Sequence, residues 1–189
     1  MYPDAGYGVR FEGWIYSANP QPYNSWGNGA AMRVSACGWI GKKLDEVKSM
    51  SHEVTVVTHN HPEGLKGAEA VAVAIFMARM GKKKEEIRKE MQKYYALDKC
   101  LDEMRPTYEF NESCQDTVPQ AIQAFLEAKD FEDAIRNAIS MGGDSDTLAA
   151  ITGSIAEAYF GVGQEHREFV KSKLDDRLRN ICDEFEGRI

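Results

Sequence analysis

Apolar residues recur along most of this chain at intervals of three and four positions, the spacing that places them on one face of an α-helix. Residues 118–126 show this pattern clearly. Their helix is expected to take Asp116 or Thr117 as its N-cap and to carry Pro119 in its first turn, where proline is tolerated. Residues 70–78 are apolar at every position, which is typical of a helix buried on all sides.

Four further helices follow from periodicity, charge and capping signals, at residues 82–95, 131–139, 148–160 and 175–186. Asp130 is the expected N-cap of the second of these, and Gly142 is its expected stop. Residues 1–28 are rich in Gly, Pro, Tyr and Trp and should be mostly loop with one short helix. No segment shows the alternation of a β-strand, so the sequence predicts a single all-α domain over residues 1–189.

Composition narrows the classes of function. The 189 residues are enough for a substantial core, and a net charge of −7 argues against non-specific binding to nucleic acid or to anionic membranes. The sequence shows no signal peptide and no apolar run long enough to span a bilayer. The four cysteines are widely spaced, which is typical of reduced thiols, and we therefore expect a cytoplasmic protein.

The most distinctive segment is residues 140–147, with the sequence Ser-Met-Gly-Gly-Asp-Ser-Asp-Thr. Asp144, Asp146 and Thr147 offer three oxygen atoms at the start of a predicted helix, and hard cations such as Mg²⁺ prefer oxygen ligands. Helix capping alone would explain one acidic residue here. Two acids, a threonine and a double glycine exceed what a cap needs, so the pattern favours a metal site.

A second candidate is residues 24–33, with the sequence Asn-Ser-Trp-Gly-Asn-Gly-Ala-Ala-Met-Arg. A helix should begin near Gly29, and the free backbone N–H groups and dipole of a helix start can bind phosphate. Ser25 and Asn28 could add side-chain donors, and Trp26 could stack on a base. The alternative is a tight turn before a helix, with Trp26 in the core.

A third candidate is residues 57–64, which place His59 and His61 just before a helix that has Pro62 in its first turn. Two histidines could bind zinc, but Cys114 would have to arrive from a distant segment as a third ligand. Hydrogen bonding within the loop, or contact with a substrate, is the alternative. Cys114 has no activating neighbours in the sequence, so we expect a buried, inert thiol.

Three motifs in a fixed order, at residues 24–33, 58–64 and 142–147, resemble the ADP-ribosylglycohydrolase family. Residues 3–8 and 113–115 are similar to its bacterial members, and the resemblance covers almost the whole chain. It implies an all-α orthogonal helical bundle with two Mg²⁺ ions. It also implies hydrolysis at the anomeric carbon of the ribose, which removes ADP-ribose from modified side chains or related conjugates.

Carried over position by position, the resemblance implies that Asp144 and Asp146 are catalytic and that both bind the metal together with Thr147. ADP-ribose, free or on a modified protein or small molecule, is the implied partner. Trp26 would lie against its adenosine part, and His59 would contact it from the neighbouring loop. The loop expected to surround its diphosphate comprises Ser25, Gly27, Asn28 and Gly29.

Members of that family usually carry an earlier Thr-Asp-Asp-Thr segment, whereas the one Asp-Asp pair here is Asp175-Asp176, on a charged helix. We therefore expect an N-terminally truncated domain that binds Mg²⁺ weakly and associates with itself or with a complementing chain. The alternative function is an ADP-ribose-binding or structural module without catalysis. A haloacid-dehalogenase-type phosphatase is a further alternative, but its Asp-x-Asp motif would follow a strand, and here it follows a helix.

Overall fold

A computed structural model describes Tyr2 and residues 5–189; Pro3 and Asp4 of the family-like N-terminal motif lie outside the described residues. The described residues contain no strand, and Gly27 and Ser113 form one isolated antiparallel bridge. The all-α prediction is therefore confirmed. The elements are α1 (Val9–Ile15), α2 (Gly29–Met32), α3 (Ser35–Ile40), α4 (Leu44–Val56), α5 (Pro62–Arg79), α6 (Lys84–Met91), α7 (Leu101–Met104), a 3₁₀ turn (Arg105–Thr107), α8 (Cys114–Glu127), α9 (Phe131–Ser140), α10 (Ser145–Phe160), α11 (Gln164–Lys173) and α12 (Asp176–Glu186).

Helix α5 is the centre of the fold. It packs against α2, α3, α4, α8 and α10, and its residues 70–75 are fully buried, as their apolar run predicts. Small residues let its neighbours approach closely: a Cβ at Gly38 of α3 would lie 2.6 Å from the Cβ of Ile75. This close contact fixes α3, and the short α2 that precedes it, against the core.

Helix α10 is held between α8, α9 and α5. Its small residues permit close packing, as the sequence predicts: a Cβ at Gly153 would lie 2.9 Å from Ile135 Cδ1 of α9. The Thr152 hydroxyl donates to the Ala121 carbonyl of α8 at 2.9 Å. Since α10 is anchored along its length, the residues at its N-terminus have a fixed position.

The expected start of α8 was wrong. The helix begins at Cys114, because the Ser113 hydroxyl caps it by accepting from the Asp116 N–H at 3.3 Å. Neither Asp116 nor Thr117 is therefore the N-cap. Pro119 consequently lies in the second turn, where the helix loses one backbone hydrogen bond.

Other helix ends also differ from their predicted positions. Helix α10 begins at residue 145 instead of 148, and α6 ends at Met91 rather than near residue 95. Asp130 does cap α9, accepting from the Asp133 N–H at 2.8 Å. Helices α3, α4, α7 and α11 were not predicted. None of the helices that the structure describes is long and apolar enough to cross a membrane.

Candidate active site

Two of the predicted segments meet directly through one hydrogen bond. We call residues 24–29 the glycine loop and residues 144–147 the acidic helix start. Asn28 Nδ2 of the loop lies 2.6 Å from Asp144 Oδ2, and the two residues are only 6% and 9% exposed. The same amide nitrogen lies 3.1 Å from Thr117 Oγ1 and 3.3 Å from the Asn111 carbonyl oxygen. The sequence did not indicate Thr117 or Asn111 as members of this site.

The double glycine explains how the acidic helix start reaches this position. Gly142 and Gly143 have φ angles of +72° and +60°, in the left-handed region that favours glycine. They end α9 and allow α10 to begin at once, with Asp144 as its N-cap residue. A Cβ at Gly143 would lie 2.9 Å from Tyr108 Cε1 and 3.1 Å from the Glu109 carbonyl oxygen. The segment that carries Asn111 therefore packs against this turn.

The three predicted metal ligands lie together at the start of α10. Asp146 is exposed, and its pKa is held below its usual range. The larger cause is its contact with the Asp144 carboxyl group, and the second is the hydrogen bond from the Thr147 N–H. The Thr147 hydroxyl is buried and lies 3.7 Å from Met32 Sδ. These oxygen donors suit part of a Mg²⁺ shell, whose other ligands would be water or substrate. Nowhere in the described residues do three His, Cys, Asp or Glu side chains cluster closely enough to hold a metal.

The zinc alternative finds no support in the geometry. His61 caps α5, because its Nδ1 atom accepts from the Glu63 N–H at 3.1 Å. Cys114 is fully buried and donates to the Gly27 carbonyl at 3.2 Å, and burial raises the pKa of its thiol to about 12. This agrees with the predicted inert cysteine.

The glycine loop uses part of its hydrogen-bonding capacity internally. The Gly27 N–H donates to Ser25 Oγ at 3.2 Å, and the Asn28 N–H donates to the Glu112 carbonyl at 2.7 Å. The Gly29 N–H donates to none of the described residues. Because α2 has four residues, the dipole expected to help bind phosphate is that of a single turn. Fewer backbone donors are thus free than the sequence suggested.

Aromatic rings surround the outer side of the loop. Trp26 is 46% exposed and contacts the His61 ring edge-on, with ring centroids 5.3 Å apart, so Trp26 is not a core residue. His59 is 6% exposed, and its ring centroid lies 6.1 Å from that of Tyr23. Burial, with a smaller contribution from the Arg33 charge, lowers the pKa of His59 to about 4. The His59 ring is therefore neutral at physiological pH.

The family model for ADP-ribosylglycohydrolases matches residues 5–189, nearly the whole chain. The chain belongs to the ADP-ribosylglycohydrolase family. Human ADP-ribosylhydrolase ARH3 is 26% identical, over 74% of this chain and 52% of that protein. ADP-ribosylarginine hydrolase Tri1 of Pseudomonas putida is 27% identical, over 98% of this chain and 54% of that protein. This member of the family thus spans about half the length of the curated relatives it matches.

A solved structure supports the same relationship at the level of the fold. It is described as an ADP-ribosylglycohydrolase-related protein complex, and it superposes with a TM-score of 0.63 at 25% identity. The match covers 80% of this chain and 57% of the solved one. The helical fold of this chain is therefore the ADP-ribosylglycohydrolase fold.

Acidification should destabilise this member of the family through His59. The pKa of His59 is about 4 in the folded state, below its usual value of 6.5. Between these two pH values the ring is protonated in the unfolded chain but neutral in the folded one. The stability that neutral His59 contributes is present above pH 6.5 and is lost as the pH falls toward 4. We expect this loss to be about 2 kcal/mol after allowing for solvent screening.

Urea unfolding over that pH range measures the effect. His59→Gln should unfold more easily than the parent at neutral pH but lose less stability on acidification. His52→Gln is the matched control, because His52 is exposed on α4 and its replacement should leave the slope unchanged. Parallel curves for the parent and His59→Gln would contradict the expectation.

Proposed function

We propose that this chain is a Mg²⁺-dependent hydrolase that removes ADP-ribose from modified side chains or related ADP-ribosyl conjugates. The observation that carries the proposal is the 2.6 Å hydrogen bond between Asn28 Nδ2 and Asp144 Oδ2. It joins the loop suited to a diphosphate to the carboxylates suited to a metal and a ribose. A ligand with a diphosphate next to a ribose could therefore use both parts of one site.

Within the proposed site, each part has a separate role. The Gly29 N–H and the His59 ring would donate to diphosphate oxygens, and the exposed face of Trp26 would lie against the adenosine part. Asp144 and Asp146, with Thr147, would hold Mg²⁺. When bound, Mg²⁺ supplies Lewis-acid chemistry that orients the ribose hydroxyls and an attacking water.

The Asp144 and Asp146 carboxylates would also stabilise positive charge that develops on the ribose ring as the bond at the anomeric carbon breaks. Asn28 contributes by holding Asp144 in place, since its amide donates to the Oδ2 atom of that carboxylate. A fixed carboxylate stabilises a developing charge without having to reorganise during the reaction. This role requires that Asn28 remain a donor.

A second candidate is a module that binds ADP-ribose without hydrolysing it. The described residues contain no cluster of three His, Cys, Asp or Glu side chains that could hold a metal, which favours this candidate. The oxygens of Asp144, Asp146 and Thr147 alone would orient Mg²⁺ weakly. The relatives named above are hydrolases by description, but this chain spans about half their length. Both candidates predict ADP-ribose binding, and only the first predicts turnover.

The test is to measure binding and turnover with the same preparation. Calorimetry should detect ADP-ribose binding by the 189-residue chain, and release of ADP-ribose from ADP-ribosylated arginine and serine peptides should be slow and should stop in EDTA. Slow turnover is expected because few protein oxygens hold the metal. Binding without metal-dependent turnover would favour the binding module. Failure to bind ADP-ribose would eliminate both candidates.

A further inference from the structure

Polar side chains from two segments form a closed hydrogen-bonded cluster behind the glycine loop. Arg33 Nη2, just after α2, lies 2.7 Å from Thr58 Oγ1 and 3.4 Å from His59 Nδ1. Thr58 Oγ1 lies 2.7 Å from the same His59 nitrogen. Thr58 and His59 are only 1% and 6% exposed, and the Thr58 hydroxyl hydrogen must therefore find an acceptor within the protein.

The chemistry of these groups decides where the hydrogen atoms lie. Arginine carries donors only, so Arg33 donates to Thr58 Oγ1. The Thr58 hydroxyl has a single hydrogen, and among the described residues the acceptor within reach is His59 Nδ1. Thr58 therefore donates to Nδ1, and the ring hydrogen of the neutral histidine lies on Nε2.

The opposite tautomer, with its hydrogen on Nδ1, would be unfavourable for two reasons. The Nδ1–H group would point at Thr58 Oγ1, and the hydroxyl hydrogen of Thr58 would be left buried without an acceptor. The same N–H would also face the Arg33 guanidinium, which cannot accept a hydrogen bond. The cluster thus favours the Nε2–H form.

The Nε2 atom faces the glycines of the glycine loop. It lies 3.6 Å from the position that a Cβ would take at Gly27 and 3.9 Å from that at Gly29. No described residue accepts a hydrogen bond from it. Other ionisable groups near this ring are Arg33 and Tyr23, and the Arg10 guanidinium lies 4.9 Å from the centre of the Tyr23 ring.

We propose that Arg33 and Thr58 are positioning residues, which hold His59 in its Nε2–H tautomer so that the ring presents one fixed donor to an anionic oxygen bound at the glycine loop. The identity of that oxygen, in the diphosphate of ADP-ribose, rests on the proposed function. The tautomer is a property of the free protein and can be measured without any ligand.

The first test is long-range proton–nitrogen NMR of the histidine rings in the ¹⁵N-labelled 189-residue chain near neutral pH. His59→Gln identifies the His59 signals among those of the four histidines. In the parent, Nε2 should show the shift of a protonated nitrogen and Nδ1 that of an unprotonated one. Thr58→Val keeps the side-chain shape but removes the hydroxyl, and it should give a mixture of tautomers. Thr58→Ser, which retains a hydroxyl, should restore the parent signals.

The second test is ADP-ribose affinity by calorimetry. Thr58→Val and Arg33→Met should bind about tenfold more weakly than the parent, and Thr58→Ser within about twofold of it. Circular dichroism checks that each variant is folded. If Thr58→Val does not fold, Arg33→Met provides the test instead. Three results would overturn the proposal. The parent could carry its ring proton on Nδ1, both variants could leave the tautomer unchanged, or the tautomer could change without a change in affinity. A parent that fails to bind ADP-ribose would refute the proposed function and leave the tautomer result standing.

Discussion

Replacing Asn28 by aspartate should lower the free energy of unfolding by about 3–5 kcal/mol at neutral pH, the range for an uncompensated buried charge. Asn28 Nδ2 is the donor that faces Asp144 Oδ2 at 2.6 Å, and both residues are buried. Aspartate has nearly the same shape but no donor, so two carboxylates would face each other. Thr117 Oγ1 and the Asn111 carbonyl would lose the same donor.

The loss of unfolding free energy in Asn28→Asp should become smaller on acidification, whereas the effect of His59 is to lower stability on acidification. Burial and repulsion would raise the pKa of the carboxyl pair in the folded state above its unfolded value. The folded state would then hold a proton that the unfolded state releases, so the deficit should shrink as the pH falls toward about 5 and grow as it rises.

Urea unfolding at several pH values measures this dependence. Asn60→Asp is the matched control, because Asn60 is exposed and its Oδ1 atom already accepts from the Asn24 N–H at 2.7 Å. That variant should change stability by less than about 0.5 kcal/mol. Equal losses in the two variants, or a loss in Asn28→Asp that does not vary with pH, would show that Asn28 does not hold Asp144 as described.

The sequence was informative where the chemistry is local. Gly142 and Gly143 predict a break between helices, and two acids with a threonine directly afterwards predict an oxygen-rich helix start, since both signals depend on neighbouring residues. The structure agrees, with positive φ at both glycines and Asp144 at the N-cap position. The buried run of α5 is likewise a property of consecutive residues.

Long-range contacts could not be predicted in the same way. Asn111 and Thr117 join the site because the segment after the 3₁₀ turn packs on Gly143, a contact that no local pattern encodes. Thr117 was instead considered as a helix cap, since its proximity to Asn28, 89 positions away, is invisible in the sequence. The Arg33 contact with Thr58 spans 25 positions and was missed for the same reason.

Helix ends were uncertain because several residues compete to cap the same helix. The sequence predicts Asp116 or Thr117 as the cap of α8, but Ser113, which can also accept from a backbone N–H, caps it instead. The length of α2 was equally hard to judge: the chain turns at Arg33 after a single helical turn and starts α3 at Ser35. This difference matters for function, because a one-turn helix contributes little dipole to a phosphate site.

Removing the charge of Asp146 should abolish most metal-dependent turnover while leaving the fold intact. Asp146 is exposed in the first turn of α10, so Asp146→Asn should cost little stability. In the proposed Mg²⁺ shell, loss of one of the three protein oxygens should reduce turnover by about 100-fold or more, since even residues that only orient ligands are worth 10- to 100-fold. Asp144→Asn should act similarly, with an added loss of stability because Asp144 is buried against Asn28.

Glu132→Gln is the matched control for Asp146→Asn, because Glu132 occupies the same second position of α9 and lies outside the site. The Glu132 carboxylate interacts with a helix dipole as Asp146 does, but it is not part of the proposed metal shell. Turnover by Glu132→Gln should therefore equal that of the parent. A readout independent of turnover is the rise in unfolding free energy on adding Mg²⁺, about 1.4 kcal/mol at ten times the dissociation constant. That rise should persist in Glu132→Gln and disappear in Asp146→Asn. If Mg²⁺ stabilises Asp146→Asn as much as the parent, the acidic helix start is not the metal site.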